Sequence, residues 1–300
     1  MSNVCPVCGN IKNRKIGLPK TNSISKNFLN YDYYVVQCLD CEAYFVSPEI
    51  HFTEEQWSKL YNNEYFGKQS AWLEKQRKKE LISRFNRLEK LTKKKNISFL
   101  DVGTGEGKAI IEAKSRNWNI TAIDIVDNRN IDSKSIDINF IKGNFLEIDL
   151  PKNSFDFIYF DSVIEHVLNP LEYLKKSAAL LTDDGYVYIG VPNEDCLFND
   201  VRKLIFNFTK QGNISEKIKP FDSPYHIIGF NYKSLKRIIN NAGLEITILR
   251  NFGRKFEFLG NIPFSKDFWI NLLFLFPIEY IGLLIKRDLY FEAFVKKTKK

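Results

Sequence analysis

Residues 99–124 read FLDVGTGEGKAIIEAKSRNWNITAID. A short apolar run, Ile97–Val102, carries Asp101 near its end, and glycines follow at Gly103, Gly105 and Gly107. Lys108–Arg116 then has helical spacing, with Ala109, Ile110, Ile111 and Ala113 apolar, and a second apolar run, Ile120–Ile123, ends in Asp124. Strand, glycine turn, helix, strand is half of a nucleotide-binding α/β fold. The glycines let the backbone turn sharply and approach a ligand with no Cβ in the way. An acid closing the second strand is placed to accept hydrogen bonds from ribose hydroxyls.

The spacing separates two kinds of ligand. In a dinucleotide fingerprint, G-x-G-x-x-G, the third glycine counted from Gly103 falls at position 108, which is Lys108. The pattern is instead D-x-G-x-G-x-G. It resembles motif I of the class I S-adenosylmethionine-dependent methyltransferases. A cationic sulfonium and an amino group suit an acidic loop edge, and Glu106 inside the loop repels a pyrophosphate. The resemblance implies a Rossmann-like α/β sheet of seven strands with an antiparallel last pair. It also implies S-adenosylmethionine held by Asp101, Gly103, Thr104, Gly105, Gly107, Asp124 and Ile125. A tight glycine turn in an α/β protein without cofactor is the competing reading.

Three hundred residues suffice for one large α/β domain and a small appendage. The net charge of +8 favours nucleic acid, anionic lipid or an acidic substrate without choosing among them. The opening MSNVCPVCGN has no basic-then-apolar leader, so a cytoplasmic protein is expected. Cys5-Pro-Val-Cys8-Gly9 and Cys38-Leu-Asp-Cys41 are compact knuckles whose four thiolates suit tetrahedral zinc. Such a zinc is structural, because four sulfurs leave no open position. Residues 1–48 are therefore expected to form a zinc ribbon with a hairpin, Tyr31–Gln37 against Ala43–Val46. Cys196 is read as a small apolar filler. Residues 49–95 read as a helical lid or linker: Trp57, Leu60, Tyr61, Tyr65, Phe66 and Trp72 precede a helix over 74–95, whose Leu81, Ile82, Phe85, Leu88 and Leu91 keep the helical period. The basic residues of that helix, Arg84 and Arg87 among them, read as a solvated face or, alternatively, as a surface for RNA or membrane phosphates.

The methyltransferase domain is expected over 96–300. Asn139–Lys142 reads as its third strand; by the resemblance, Asn144 meets the adenine edge and Phe145 packs on the ring. Ser154–Phe160 reads as the fourth strand, ending in Asp161-Ser-Val-Ile-Glu165-His166-Val167 beyond the strand end, where ligands sit in open α/β sheets. Asp161 is counted with the cofactor residues. A helix over Pro170–Leu180 and a strand over Gly185–Val191 follow, then an insertion at 194–230 that ends near His226, a helix over Tyr232–Ala242, and strands Leu244–Leu249 and Tyr290–Val295. A second insertion, 254–287, is apolar and aromatic with basic flanks; it reads as an interfacial membrane element, a substrate lid or a dimer contact.

The sulfonium methyl is already activated, so the protein has to hold a nucleophile in line and remove a proton. For a hydroxyl acceptor a neutral histidine suits that task. His166 or His226 is expected as the base, with Glu165 orienting or binding polar substrate groups; a histidine bonding the backbone is the plainer alternative. Some methyltransferases with an E-x-x-E-H element bind a metal, but Ser162 stands at the first Glu position here, which weighs against a divalent ion on Glu165, His166 and His226. With its CPxCG…CxxC start, the chain resembles the bacterial zinc-ribbon methyltransferases, a group often found in sugar and surface-glycan biosynthesis. The implied acceptor is a small molecule or a lipid-linked glycan. A zinc-ribbon RNA methyltransferase is the alternative, disfavoured because DSVIEH lacks an N-P-P-Y element, and a non-catalytic zinc adaptor is the third reading.

Overall fold

The computed structural model describes residues 4–17, 33–60, 71–209, 226–253 and 256–299. Tyr61, Tyr65, Phe66, Arg254, Lys255 and the 210–225 part of the first insertion lie outside that set. The elements in chain order are β1 (Asn13–Gly17), β2 (Tyr34–Cys38), β3 (Tyr44–Ser47), α1 (Glu54–Leu60), α2 (Ala71–Thr92), β4 (Ser98–Val102), α3 (Lys108–Ser115), β5 (Asn119–Asp124) and α4 (Ile131–Lys134). There follow β6 (Asn139–Lys142), β7 (Phe155–Asp161), α5 (Pro170–Leu180), β8 (Leu181–Pro192), α6 (Leu197–Thr209), β9 (Ile228–Gly229), α7 (Tyr232–Asn241), β10 (Leu244–Phe252), α8 (Lys266–Ile270), α9 (Phe276–Leu284) and β11 (Tyr290–Lys297).

Seven strands form one sheet in the order β10-β11-β8-β7-β4-β5-β6. The strands from β8 to β6 are parallel, and β11 runs antiparallel between β8 and β10. Near-continuous apolar runs such as Phe155–Phe160 form the middle strands because both faces of the sheet are covered. On one face α2 and α3 bury Leu81, Phe85, Leu88 and Ile110 against Phe99, Trp118 and Phe157. The Phe85 ring stacks on Trp118 at 4.8 Å. On the other face the core built on Leu100, Ile158, Leu174 and Ile238 runs without a break into Val7, Val35, Phe45 and Phe230.

That continuity follows from a second sheet, β1-β2-β3-β9. Three of its strands come from the cysteine-rich start, and the fourth, β9, comes from the end of the first insertion, with Tyr44 opposite Gly229 and Phe45 opposite Ile228. The N-terminal module is thus completed by a strand of the methyltransferase half. The Asn231 side chain adds to the joint by donating to the Glu42 carbonyl and to Asp195.

Helix α2 corrects the reading of its basic face as solvated. Arg84 is 5% exposed and donates to Asp161 at 2.9 Å, Glu292 at 3.2 Å and the Tyr159 hydroxyl at 3.1 Å. Arg87 pairs with Glu292 at 2.7 Å. One helical turn of this helix therefore points into the sheet, where the acids of β7 and β11 need a counter-charge. Removing one partner of a buried pair strands the other charges and costs ~3–5 kcal/mol. Arg84→Met is expected to lose that much stability in urea unfolding, whereas Lys78→Met on the exposed side of the same helix should stay within about 0.5 kcal/mol of wild type.

Candidate active site

The carboxyl ends of β4, β5 and β7 open into one cavity of about 1710 Å³. Drug-sized ligands fill pockets of about 300–1,000 Å³, so this volume admits two small molecules side by side. Of the residues expected to hold the cofactor, Asp101, Gly103, Thr104, Gly105, Asp124, Ile125, Asn144, Phe145 and Asp161 all line it. Gly107 does not line the cavity. It sits at φ +80° and caps α3, and a Cβ there would lie 2.5 Å from Ser133.

The glycine loop is held from two sides. Gly105 donates its N–H to the Asp124 carboxylate at 2.8 Å, and Val126 donates to the other oxygen at 3.2 Å. On the far side the Ser133 hydroxyl and the Asn130 N–H both donate to the Glu106 carbonyl. Asn130 and Ser133 carry no motif of their own. The Asn–x–x–Ser spacing that caps α4 was the available signal.

Three strands carry an aspartate at or next to their carboxyl end at this cavity, and each is treated differently. Asp124 accepts the two backbone N–H bonds just described. Asp161 takes Arg84 and the Tyr159 hydroxyl. Asp101 is 2% exposed and its Oδ2 has no hydrogen-bond partner among the described residues. Burial, with the nearby charges of Asp124 and Asp161, raises its pKa to about 8. Burial thus favours the protonated form of Asp101, Arg84 neutralises Asp161, and Asp124 is left as the acid the cavity offers to a cation.

Asn144 lines the cavity, but its Oδ1 already accepts from the Tyr173 hydroxyl at 3.0 Å and the Leu146 N–H at 3.1 Å, while its Nδ2 donates to Glu147. Tyr173, on α5, thus fixes this side chain, a link that sequence spacing does not reveal. Phe145 is buried and meets Phe160 edge-on at 5.9 Å.

Beyond β7, His166 lines the cavity, whereas Glu165 and His226 do not. The rings of His166 and His226 are 4.8 Å apart and nearly perpendicular, and Glu165 Oε1 is 3.8 Å from His166 Nε2. Glu165 is buried, with no hydrogen bond of ordinary geometry to either carboxyl oxygen among the described residues, and burial pushes its pKa up to about 8. The Glu165 carbonyl accepts the N–H groups of both Ile227 and Ile228. This clamp seats His226 and leads straight into β9, so the N-terminal sheet and the histidine pair share one support. One ligand atom from each of Glu165, His166 and His226 lies within 4.8 Å of the others, and the same is true of Cys5, Cys8, Cys38 and Cys41. His51, the remaining histidine, stands at the cavity rim beside Glu49.

The cysteine sulfurs sit 3.5 Å apart for Cys5–Cys41 and 3.6 Å for Cys8–Cys38. A tetrahedral zinc with bonds of about 2.3 Å sets its sulfurs about 3.8 Å apart, so the four thiols fit that ion with small adjustment. The Cys41 thiol pulls Cys5 down to about 6, whereas burial pushes Cys8 up to about 11.

The family described as a methyltransferase domain matches residues 73–249. This chain belongs to that family. The 1,6-didemethyltoxoflavin N1-methyltransferase of Burkholderia thailandensis is similar in fold, at 13% identity and a TM-score of 0.50 over 91% of this chain and 98% of that one. An S-adenosylmethionine-dependent methyltransferase of Archaeoglobus fulgidus aligns at 18% identity and a TM-score of 0.49, over 74% of this chain and 94% of that one. No curated protein sequence matches the chain. Family and sheet together make it an S-adenosylmethionine-dependent methyltransferase of the class I fold.

Gly103 offers a direct check on the loop. It has φ +74°, and a Cβ would meet Val163 at 2.6 Å. Gly103→Ala is expected to cost ~2–4 kcal/mol, combining left-handed strain with the clash. Adding Val163→Ala should relieve the clash but not the strain, and a double-mutant unfolding cycle reads the difference.

Proposed function

We propose that this methyltransferase transfers the sulfonium methyl to a hydroxyl of a sugar, a surface-glycan precursor or another small biosynthetic intermediate. The observation that carries this reading is the Glu165–His166–His226 cluster, which puts an imidazole on the cavity wall just past β7. The cofactor would lie over the glycine loop, between Asp101, Asp124 and Phe145, and would supply an activated methyl group. This chain's own part is to hold the acceptor hydroxyl against His166 and take its proton as the new C–O bond forms. His226, edge-on to His166, and the uncharged Glu165 carboxyl orient that ring and shield it from water. Cysteine thiolates at the N-terminus would hold a structural zinc, and the cytoplasm, where thiols stay reduced, suits that site. An RNA acceptor is the second reading; the burial of Arg84 and the pairing of Arg87 remove two of the cations on α2 that would have favoured it.

Methyl transfer from S-adenosylmethionine to a panel of sugars and lipid-linked glycans, compared with RNA, tests the acceptor class. His166→Ala should lower kcat by about 10²–10⁴-fold while leaving cofactor affinity within about twofold. An unchanged kcat would remove His166 as the base.

Because β9 belongs to the N-terminal sheet, the cysteine site is expected to act on the active site at a distance. Cys5→Ser with Cys41→Ser should abolish bound zinc by elemental analysis and lower kcat through a displaced His226, with cofactor binding at the glycine loop retained. Full activity without metal would show that the module does not support the histidine pair.

A further inference from the structure

The second insertion leaves the sheet at Phe252 and returns at Tyr290, residues paired directly across β10 and β11 and stacked at 5.2 Å. Between them one helical run, Lys266–Leu284, is long and apolar enough to cross a membrane, and only 11% of its most apolar window is buried. Phe264, Trp269, Leu273, Phe274, Ile281 and Leu284 are exposed.

The helix cannot span a bilayer while both of its ends return to one point on the sheet. Its length, roughly 28 Å at 1.5 Å per residue, matches the hydrocarbon core, so one flank would have to come back through lipid. After Leu284 only residues 285–289 remain, an extended reach of ~18 Å, too short for the crossing. The other flank packs along the protein instead: Phe258 touches both Phe268 and Phe276, and Gly260 lies against Trp72 of α2. Non-helical backbone exposed to lipid would be left unsatisfied.

We propose that residues 256–285 lie flat on an anionic bilayer, with the apolar side chains in the interface, and that the acceptor reaches the site from that surface as a lipid-linked molecule. Charge selects the bilayer over a second copy of the chain. Among the described residues in and just after this run the exposed cations, Lys266 and Lys286, outnumber the exposed acid, Asp267, and the chain carries +8, so two such faces would repel while anionic headgroups would attract. Continuity selects the route: Phe256 lines the cavity and touches Phe276, whose ring stacks on Tyr280 within the exposed face. An acyl or prenyl tail on this face would place its head group at the cavity mouth. The acceptor half of the inference rests on the methyl-transfer reading; the docking half does not.

The test is sedimentation of the full-length protein with phosphatidylcholine vesicles, with and without phosphatidylglycerol, beside S-adenosylmethionine titration and light scattering of the same samples. Wild type should pellet with the anionic vesicles. Leu273→Glu with Phe274→Glu, both changes at exposed positions, should weaken that binding about tenfold or more, and Lys266→Glu with Lys286→Glu should weaken it selectively for anionic lipid. Cofactor affinity should be unchanged in both variants. Wild type remaining in the supernatant would overturn the proposal. So would a dimer, split by Leu273→Glu with Phe274→Glu, that ignores vesicles. Vesicle binding without any cofactor binding would leave docking intact and refute the methyl-transfer reading separately.

Discussion

Three parallel strands carry an aspartate at or next to their carboxyl end at the same cavity, and the structure has to accommodate that concentration of acids. Asp161 is neutralised by Arg84, Asp124 is spread over two backbone N–H groups, and Asp101 keeps its proton because burial beside the other two makes ionisation costly. Each solution fixes a piece of architecture. Arg84 locks α2 onto the sheet and, through Glu292, onto β11. Asp124 ties the glycine loop to β5. A dinucleotide pyrophosphate would add to the repulsion, whereas a sulfonium with an ammonium group relieves it.

The second organising link is the Glu165 backbone carbonyl. By accepting from Ile227 and Ile228 it joins the segment past β7 to the strand that completes the N-terminal sheet. The cysteine module and the histidine pair therefore share one support, although residues 5 and 226 are far apart in the chain. This gives a four-cysteine site a reason to be attached to a methyltransferase that does not depend on the ion taking part in chemistry.

Local pattern carried most of the fold. Asn139–Lys142 and Pro170–Leu180 form where their apolar runs and the Pro at the helix start place them, and the three glycines, Gly103, Gly105 and Gly107, fall between β4 and α3. The antiparallel final pair follows the family pattern. What the sequence hid depends on partners distant in the chain. Arg84 looks like one more cation in a basic helix until Asp161 and Glu292 are seen beneath it. A two-residue strand such as β9 has no periodicity to detect, and its pairing with Tyr44 and Phe45 is a tertiary event. Asn144 keeps its expected place at the cavity, yet Tyr173 occupies the oxygen that a purely local reading leaves open to ligand.

The account stands on the claim that this acidic, partly protonated cavity is built for a cation. Calorimetric titration with S-adenosylmethionine and with NAD at pH 7, repeated in buffers of different ionisation enthalpy, measures both the affinity and the protons exchanged. Asp101, with a pKa raised to about 8, is protonated before binding, and a cation beside it favours the carboxylate. The account predicts micromolar S-adenosylmethionine binding accompanied by proton release, loss of that binding in Asp124→Ala, and no binding of NAD. Binding of NAD, or absence of S-adenosylmethionine binding by the folded protein, would contradict it.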